Sequence, residues 1–511
     1  MKKCYLLPAL LVITLFNGCD EDESITPPPG EVDILTYQVN LNDRSNDRFK
    51  VKVVVPQLSS SDTIFQFAAT APGTYATADI GRFIRAFRAY DKDGVAIPVE
   101  KINTNQWDIS NAEDLRWIEY TARDTWDTLL TVDPISRMTG TSLEDNHALF
   151  NAYCVIGYPI TLEDEAMRIS FSMPGHWKTG TALSKDNDGY YEANDFEHLV
   201  DSPFLFGDLT VAETTVGSTT VAIYNYSADG AINASTLLND LTEVLNSADE
   251  FLQGIPVDRY TFLFHYGEFT SGAWEHSYSS EYVLKTYNAS QVKSIGAHEF
   301  FHVVTPLNIH SEIIEDFNFI TPTPSKHLWL YEGVTEWASH TMLFRAGNLS
   351  EESYINNAVE YKVSIDRTYY DATFTLVDIA LQSYSTEGQK QYGNIYYRGS
   401  LVASLLDIRL LELSNGTYGL RELMLELIDT YGADQPFSEE TFFETIEVMT
   451  YPEIGDFINS YIINAQPLPY AEYFGKLGYN VADDGSRPVI TPISERTASQ
   501  QLLYNSWKQN L

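Results

Sequence analysis

Between residues 32 and 200 apolar and polar side chains alternate with a period of two. ILTYQVNLN, FKVKVVVP and TIFQFAAT carry β-branched and aromatic residues between turn signals and predict strands. DKDG at 91–94 and KDNDG at 185–189 predict turns. The repetition predicts an all-β or β-rich, sandwich-like domain. From about 205 to 290 the two periods mix. TTVAIYNYS (219–227), RYTFLFHYG (259–267) and EYVLKTY (281–287) read as strands, and STLLNDLTEVLNSADEFL (235–252) reads as an amphipathic helix. After 290 the helical period takes over. SLVASLLDIRLLELSNG (400–416), LRELMLELIDTYG (420–432) and SEETFFETIEVM (438–449) are apolar at three- and four-residue intervals, and the first stops at Asn-Gly. A short polar helix closes the chain. No internal repeats are visible.

This pattern gives an α+β chain. Its expected parts are a β-rich domain at 32–205, a mixed domain at 206–345, a helical lobe at 346–480 and a tail at 481–511. The first residues belong to none of these. Lys2 and Lys3 precede YLLPALLVITLF, an apolar run too short to span a bilayer, as in a cleaved signal peptide over 1–19. LFNGC ends at Cys19 and resembles a lipobox, with Phe16 where leucine is usual. Residues 20–31, acidic and then proline-rich, read as a tether. The expectation is a lipoprotein of a Gram-negative cell envelope, lipidated at Cys19, on the periplasmic face or the cell surface. Membrane contact is then through that lipid alone.

Composition narrows the function. The 511 residues hold 71 Asp and Glu against 32 Lys and Arg, a net charge of −39. Such a chain repels nucleic acid and anionic lipid, and the same charge keeps it soluble. With Cys4 in the signal and Cys19 at the anchor, only Cys154 is left, so no disulfide framework is expected. Its apolar surroundings, ALFNAYCVIGYP, predict a buried thiol rather than a nucleophile.

The chemistry starts at GAHEFFHVV (296–304). His298 and His302 are one helical turn apart and project from one face, with Glu299 beside them. This HExxH arrangement supplies two zinc ligands and a general base. Ser290 is placed to cap the helix and Pro306 to end it. With ten histidines, chance alone produces such a match in roughly one or two chains per hundred, so the surroundings must decide. A third ligand is required. The metzincin pattern needs glycine and histidine where this chain has Thr305 and Asn308. Thermolysin and aminopeptidase-N spacings need a glutamate where it has Thr321 and Pro322. The next suitable carboxylate is Glu332 in HLWLYEGVTEW, where an apolar run carries it toward a buried site. Glu336, one turn on, is either a support to the ligands or a plain surface charge. Glu312, Glu315 and Asp316 fall in an expected loop. TSGAWEHSYSS (270–280) and the tyrosines of IYYRGSLVASLLD (395–407) add to the picture, since a phenol near zinc can stabilise an oxyanion.

Together, ALFNAYCVIGYP, LVDSPF, GAWEH, HEFFHVVTPLNIHS, HLWLYEGVTEW and YYRGSLVASLLDIRL resemble the gluzincin aminopeptidases. They are most similar to the glycyl aminopeptidase family, metallopeptidase family sixty-one, over roughly residues 32–480. The resemblance implies an N-terminal β-domain, a thermolysin-like zinc peptidase domain and a helical lobe. It implies His298, His302 and Glu332 as zinc ligands, Glu299 as base, Glu275 as the group that binds the substrate α-amine, and Tyr396 as oxyanion stabiliser. Tyr397 stands next to Tyr396, and Arg398 replaces the lysine of related enzymes. Family members commonly carry a PDZ-like domain, and the stretch after LPYAEYFGKLGY (468–479) is too short to hold one. The expected function is a zinc aminopeptidase acting on peptides, with small residues such as Gly or Ala suggested by the family name. A zinc endopeptidase on the same scaffold and a non-catalytic envelope binding protein are the competing readings.

Overall fold

In the computed structural model the described residues are 32–127, 133–433 and 435–509. The expected signal peptide, the tether and Cys19 lie outside them. Among the described residues no helix is long and apolar enough to cross a membrane.

The alternating segments form strands. They are β1 (Leu35–Asn40), β2 (Arg48–Val54), β3 (Ile64–Phe67), β4 (Ile84–Asp91), β5 (Leu115–Arg123), β6 (His147–Phe150) and β7 (Met167–Ser172). Five of them lie in one seven-stranded sheet in the order β7-β1-β2-β5-β4, antiparallel except for the β1–β7 pair, while β3 and β6 belong to two separate four-stranded sheets. Alternate residues from one face, among them Tyr37, Val39, Val51, Val53, Ile118 and Tyr120, enter a single core with Phe65 and Phe67 of β3. Cys154 is fully buried in that core, as its surroundings predicted.

The short helix α1 (Phe196–Val200) leads into β8 (Phe204–Gly207), and a second sheet follows. Its strands are β9 (Thr210–Val216), β10 (Thr219–Ser227), β11 (Arg259–Tyr266), β12 (Gly272–Glu275) and β13 (Ser279–Leu284), in the order β9-β10-β11-β13-β12. β10, β11 and β13 are parallel, while β9 and β12 form antiparallel edges. β11 is buried from Tyr260 to Tyr266, as expected of a central strand with both faces covered. Helices α2 (Ala234–Leu252) and α3 (Ala289–Phe301) share one core with this sheet. Leu149 of β6 and Leu205 of β8 meet Leu263 and Val283, which joins the two β-rich parts.

The rest is helical. A π-helical turn, Trp329–Val334, runs into α4 (Thr335–Arg345), followed by α5 (Tyr361–Tyr369), α6 (Asn394–Leu413), α7 (Leu420–Thr430), α8 (Phe442–Met449) and α9 (Ala498–Gln509). The sequence pattern starts α6 at 400, but the helix begins at Asn394. IYYRG forms its first turns, because tertiary contacts cover tyrosines that carry no helical period of their own. α6 crosses the π-helical turn at two glycines. A Cβ on Gly399 would lie 2.9 Å from the Gly333 Cα, and one on Gly333 would lie 2.8 Å from the Gly399 Cα.

Gly399→Ala therefore sets two effects against each other. Alanine gains up to about 1 kcal/mol of helix propensity. The new methyl meets backbone, which cannot swing aside, and overpacking costs about 1–3 kcal/mol. The expected outcome is net destabilisation, seen as a lower urea midpoint; an unchanged or higher midpoint would show that the helices separate freely.

The junction of the β-rich parts holds a buried histidine pair. His147 of β6 and His265 of β11 are buried, with their Nε2 atoms 2.9 Å apart. Tyr226 stacks on His147 at 4.0 Å. Burial lowers His147 to about 3 and His265 to about 4, so both are neutral in the folded protein near neutrality. The unfolded chain binds more protons from about pH 6.5 downward, so the junction's stability is present above that pH and lost as pH falls through about 4. Between pH 6.5 and 4.5, Tm should fall more steeply in the wild type than in a His147→Gln/His265→Gln variant. Parallel slopes would clear the pair.

Candidate metal centre

α3 brings the two histidines together. Its N-cap is Asn288, whose side chain accepts from the Gln291 N–H; the cap expected at Ser290 is not used. Capping needs an extended residue outside the first turn, and Asn288 (φ −148°, ψ 114°) meets that requirement while Ser290 is already helical. The helix ends at Phe301, ahead of Pro306, with His302 as the capping residue. Glu332 comes from the π-helical turn. The extra residue in such a turn re-aims side chains, and π-turns recur at functional sites.

These elements converge on one point. His298 Nε2 lies 3.4 Å and His302 Nε2 3.7 Å from Glu332 Oε2. That oxygen is buried and has no hydrogen-bond partner. Both rings are held through their other nitrogen. His298 Nδ1 lies 2.8 Å from Glu336 Oε2, and His302 Nδ1 2.9 Å from the Thr305 carbonyl. With each Nδ1–H donating to its acceptor, the neutral rings direct their Nε2 lone pairs at Glu332. Two imidazole lone pairs and one unpartnered carboxylate oxygen, all within 4.8 Å of one another, form a donor set that suits a zinc ion.

The electrostatics also favour a cation. Glu275, Glu299, Glu332 and Glu336 line one cavity of about 500 Å³ with His298 and His302. Burial raises Glu275 well above the usual carboxylate range, and the Glu332 and Glu299 carboxylates add to the effect. Burial pushes Glu299 up to about 7, against the pull of His298. Burial lowers His302 to about 4. Glu336 is different. Its burial is outweighed by Lys362, whose Nζ lies 2.7 Å from Oε1, and it stays well below the usual range. Lys362 Nζ also donates to Ser400 Oγ at 2.9 Å.

The other expected residues also reach the cavity. Glu275 ends the edge strand β12, and one of its carboxylate oxygens lies within 4.8 Å of ligand atoms of Glu299 and His302. Tyr396 lines the cavity, its ring 5.6 Å from that of His298. Tyr397 turns away to Tyr361 and Tyr370. Arg398 is buried against Asp366, 3.3 Å away. Lys362, Gly73, Tyr75 and Tyr392 escaped the sequence reading. Gly73, at φ +75°, packs so closely that a Cβ there would lie 2.5 Å from Glu275 Oε1. Tyr75 packs on Tyr392 at 5.1 Å, and its carbonyl accepts from Gln389 Nε2 at 3.0 Å, which ties the β-rich part to the helical lobe across the cavity. No local pattern marks these residues, although Tyr392 stands four residues before the first tyrosine of YYRG.

A β-rich domain followed by a mixed sheet, a helical lobe and a buried His-His-Glu set with an adjacent glutamate defines a metallopeptidase. The Peptidase M61 N-terminal domain matches residues 36–208 and the M61 glycyl aminopeptidase domain matches residues 291–402, together more than half of the chain. The chain belongs to the M61 glycyl aminopeptidase family. Among solved structures it is similar to an aminopeptidase N family protein from Idiomarina loihiensis, at 20% identity and a TM-score of 0.78, over 91% of this chain and 82% of that one. It is also similar to a variant of a two-domain M1 zinc metallopeptidase, seen bound to L-arginine (11% identity, TM-score 0.53) and to L-tryptophan (12%, 0.51). Each of these covers 86% of this chain and 95% of that one. At these identities the likeness is one of fold. No curated protein matches the sequence.

Glu336 orients His298 and keeps its Nδ1–H bound. Glu336→Gln should lower zinc affinity about 10- to 100-fold, measured by competition with a chelating dye. Unchanged affinity would make Glu336 a bystander.

Proposed function

We propose that this chain is a zinc aminopeptidase that removes residues from the free N-terminus of peptides. The observation that carries this reading is the shared cavity of Glu275 with the His298–His302–Glu332 set. His298, His302 and Glu332 would hold the metal. Zinc supplies a Lewis acid that polarises the peptide carbonyl and acidifies water.

The chain's own groups do the rest. Glu299 takes a proton from the attacking water and returns it to the departing amine. Its position beside His298, and a carboxyl that burial pushes up to about 7, suit a group that must both accept and release a proton. Tyr396 donates a hydrogen bond to the carbonyl oxygen as negative charge builds there. Glu275 binds the substrate's ammonium and so sets the distance from the free end to the cut bond. The burial of Glu275 among like charges supports this role, because a cation arriving there meets an acidic, partly dehydrated site.

The reading extends to location. The charged start, the short apolar run and LFNGC support a lipid tether at Cys19 to a Gram-negative cell envelope.

Glu299→Gln should keep its zinc, measured by metal analysis, and lose about 10²- to 10⁴-fold in kcat on an alanyl anilide. Wild type should cleave the free-amine anilide and leave its N-acetyl form intact. Full activity in the variant removes Glu299 from the chemistry. Equal rates on the two substrates would make the enzyme an endopeptidase.

A further inference from the structure

A second cavity, of about 460 Å³, opens off the metal centre and shares Trp274, Glu275, His302 and Glu332 with it. α1 borders it on one side, and the segment that follows α3 borders it on the other. Asp195, Glu197, Asp201 and Glu315 face it beside His198, His276 and His310, and among the described residues no lysine or arginine lines it.

Three of these carboxylates already have partners. Asp195 accepts from the His198 N–H at 2.7 Å and Asp201 from the Ser277 N–H at 3.0 Å, while Glu315 lies 2.6 Å from His310 Nε2. The Glu197 carboxyl has no hydrogen bond or ion pair among the described residues. Burial and the carboxylates of Asp201, Asp195, Glu315 and Asp316 raise it to about 9, the mark of an acidic group that lacks a cation.

An independent feature has the same polarity. His276 is 5% exposed and lines the cavity, and its Nε2 has no hydrogen-bond partner. Its Nδ1 lies 3.3 Å from Asp201 Oδ1, and in the neutral tautomer that donates there Nε2 is a free acceptor. The cavity thus combines an unpaired carboxylate with a buried unpaired acceptor. Both call for a ligand that donates hydrogen bonds and carries positive charge.

A bare metal ion fits less well. Among the described residues, the groups of three donors that close to within 4.8 Å lie at the catalytic centre and not here. Acceptors spread along a cavity with Leu307 and Ile314 in its wall match a longer ligand, with an apolar stem and a cationic head.

We propose that this cavity is the specificity pocket for a basic first residue, lysine or arginine, of the peptide substrate. The proposal rests on the aminopeptidase reading. With the substrate amine on Glu275 and its carbonyl at the metal centre, the first side chain leaves from where the two cavities join. Its stem passes Leu307 and Ile314, its charge pairs with Glu197, and one N–H donates to His276 Nε2.

The test compares anilides of arginine, lysine, norleucine and alanine on the zinc-loaded enzyme. Wild type should show kcat/KM about tenfold higher for arginine and lysine than for norleucine, which has the stem without the charge. Glu197→Gln should abolish that difference while its alanine activity stays within about twofold. If that variant does not fold, inhibition of the wild type decides, and arginine amide should compete about tenfold better than norleucine amide. Equal treatment of arginine and norleucine overturns the proposal and leaves the aminopeptidase reading intact. Failure on every free-amine substrate, or equal cleavage of the N-acetyl forms, overturns that reading as well. If calcium raises the Tm of the wild type but not of Glu197→Gln, and the basic preference is absent, the cavity is a metal site and the proposal is wrong.

Discussion

The close approach of Gly333 and Gly399 is the constraint on which the site depends. A π-helical turn and a long helix touch backbone to backbone at these two residues. Glu332 directly precedes one glycine, and Tyr396 stands three residues before the other. Any side chain at the contact would push the helices apart and withdraw both groups from the histidines of α3. A glycine inside a helix is unfavourable by about 1 kcal/mol relative to alanine. Here that loss is offset by a geometry that a Cβ would not permit.

Around this contact the problem is charge. Four glutamates and two histidines share one cavity, and the described lysine that pairs with one of the four glutamates is Lys362, on Glu336. Glu336 in turn holds His298, so a lysine bonded to Glu336 and Ser400 helps fix the orientation of one of the three proposed metal ligands. Thr305 does the same for His302 through its carbonyl. The remaining excess of negative charge faces the cavity, where a metal ion and a substrate ammonium would both lower it. The edge strand and the β-rich domain complete the enclosure. Gly73 lies against the Glu275 carboxylate, and Tyr75 reaches across to the helical lobe. The cavity is therefore built from every major part of the chain, and each part needs the others to be closed.

Much of this was legible in order along the chain. The period-two stretches became the sheets, and the helical stretches became α2, α6, α7 and α8. The HExxH spacing placed both imidazoles on one face because a helix turns once in about 3.6 residues. Glu332 was reached by excluding the other spacings, and GAWEH and YYRG through the resemblance. What failed was local detail. The cap of α3 moved to Asn288, and α6 began six residues before its apolar period, because end residues answer to contacts that periodicity does not record.

By itself the sequence determined the elements, the α+β class, the pair of histidines with their glutamate, and the burial of Cys154. These follow from spacing and hydrophobicity, which act over a few residues. Only the tertiary structure decided that Glu336 supports His298 rather than facing solvent, that Lys362 and Tyr75 belong to the site, that Tyr396 and not Tyr397 faces the cavity, and that a second acidic cavity joins the first. Each of these depends on which surfaces meet. Partners such as Lys362 and Glu336, 26 residues apart, or Gln389 and Tyr75, 314 apart, leave no periodic trace in the chain between them.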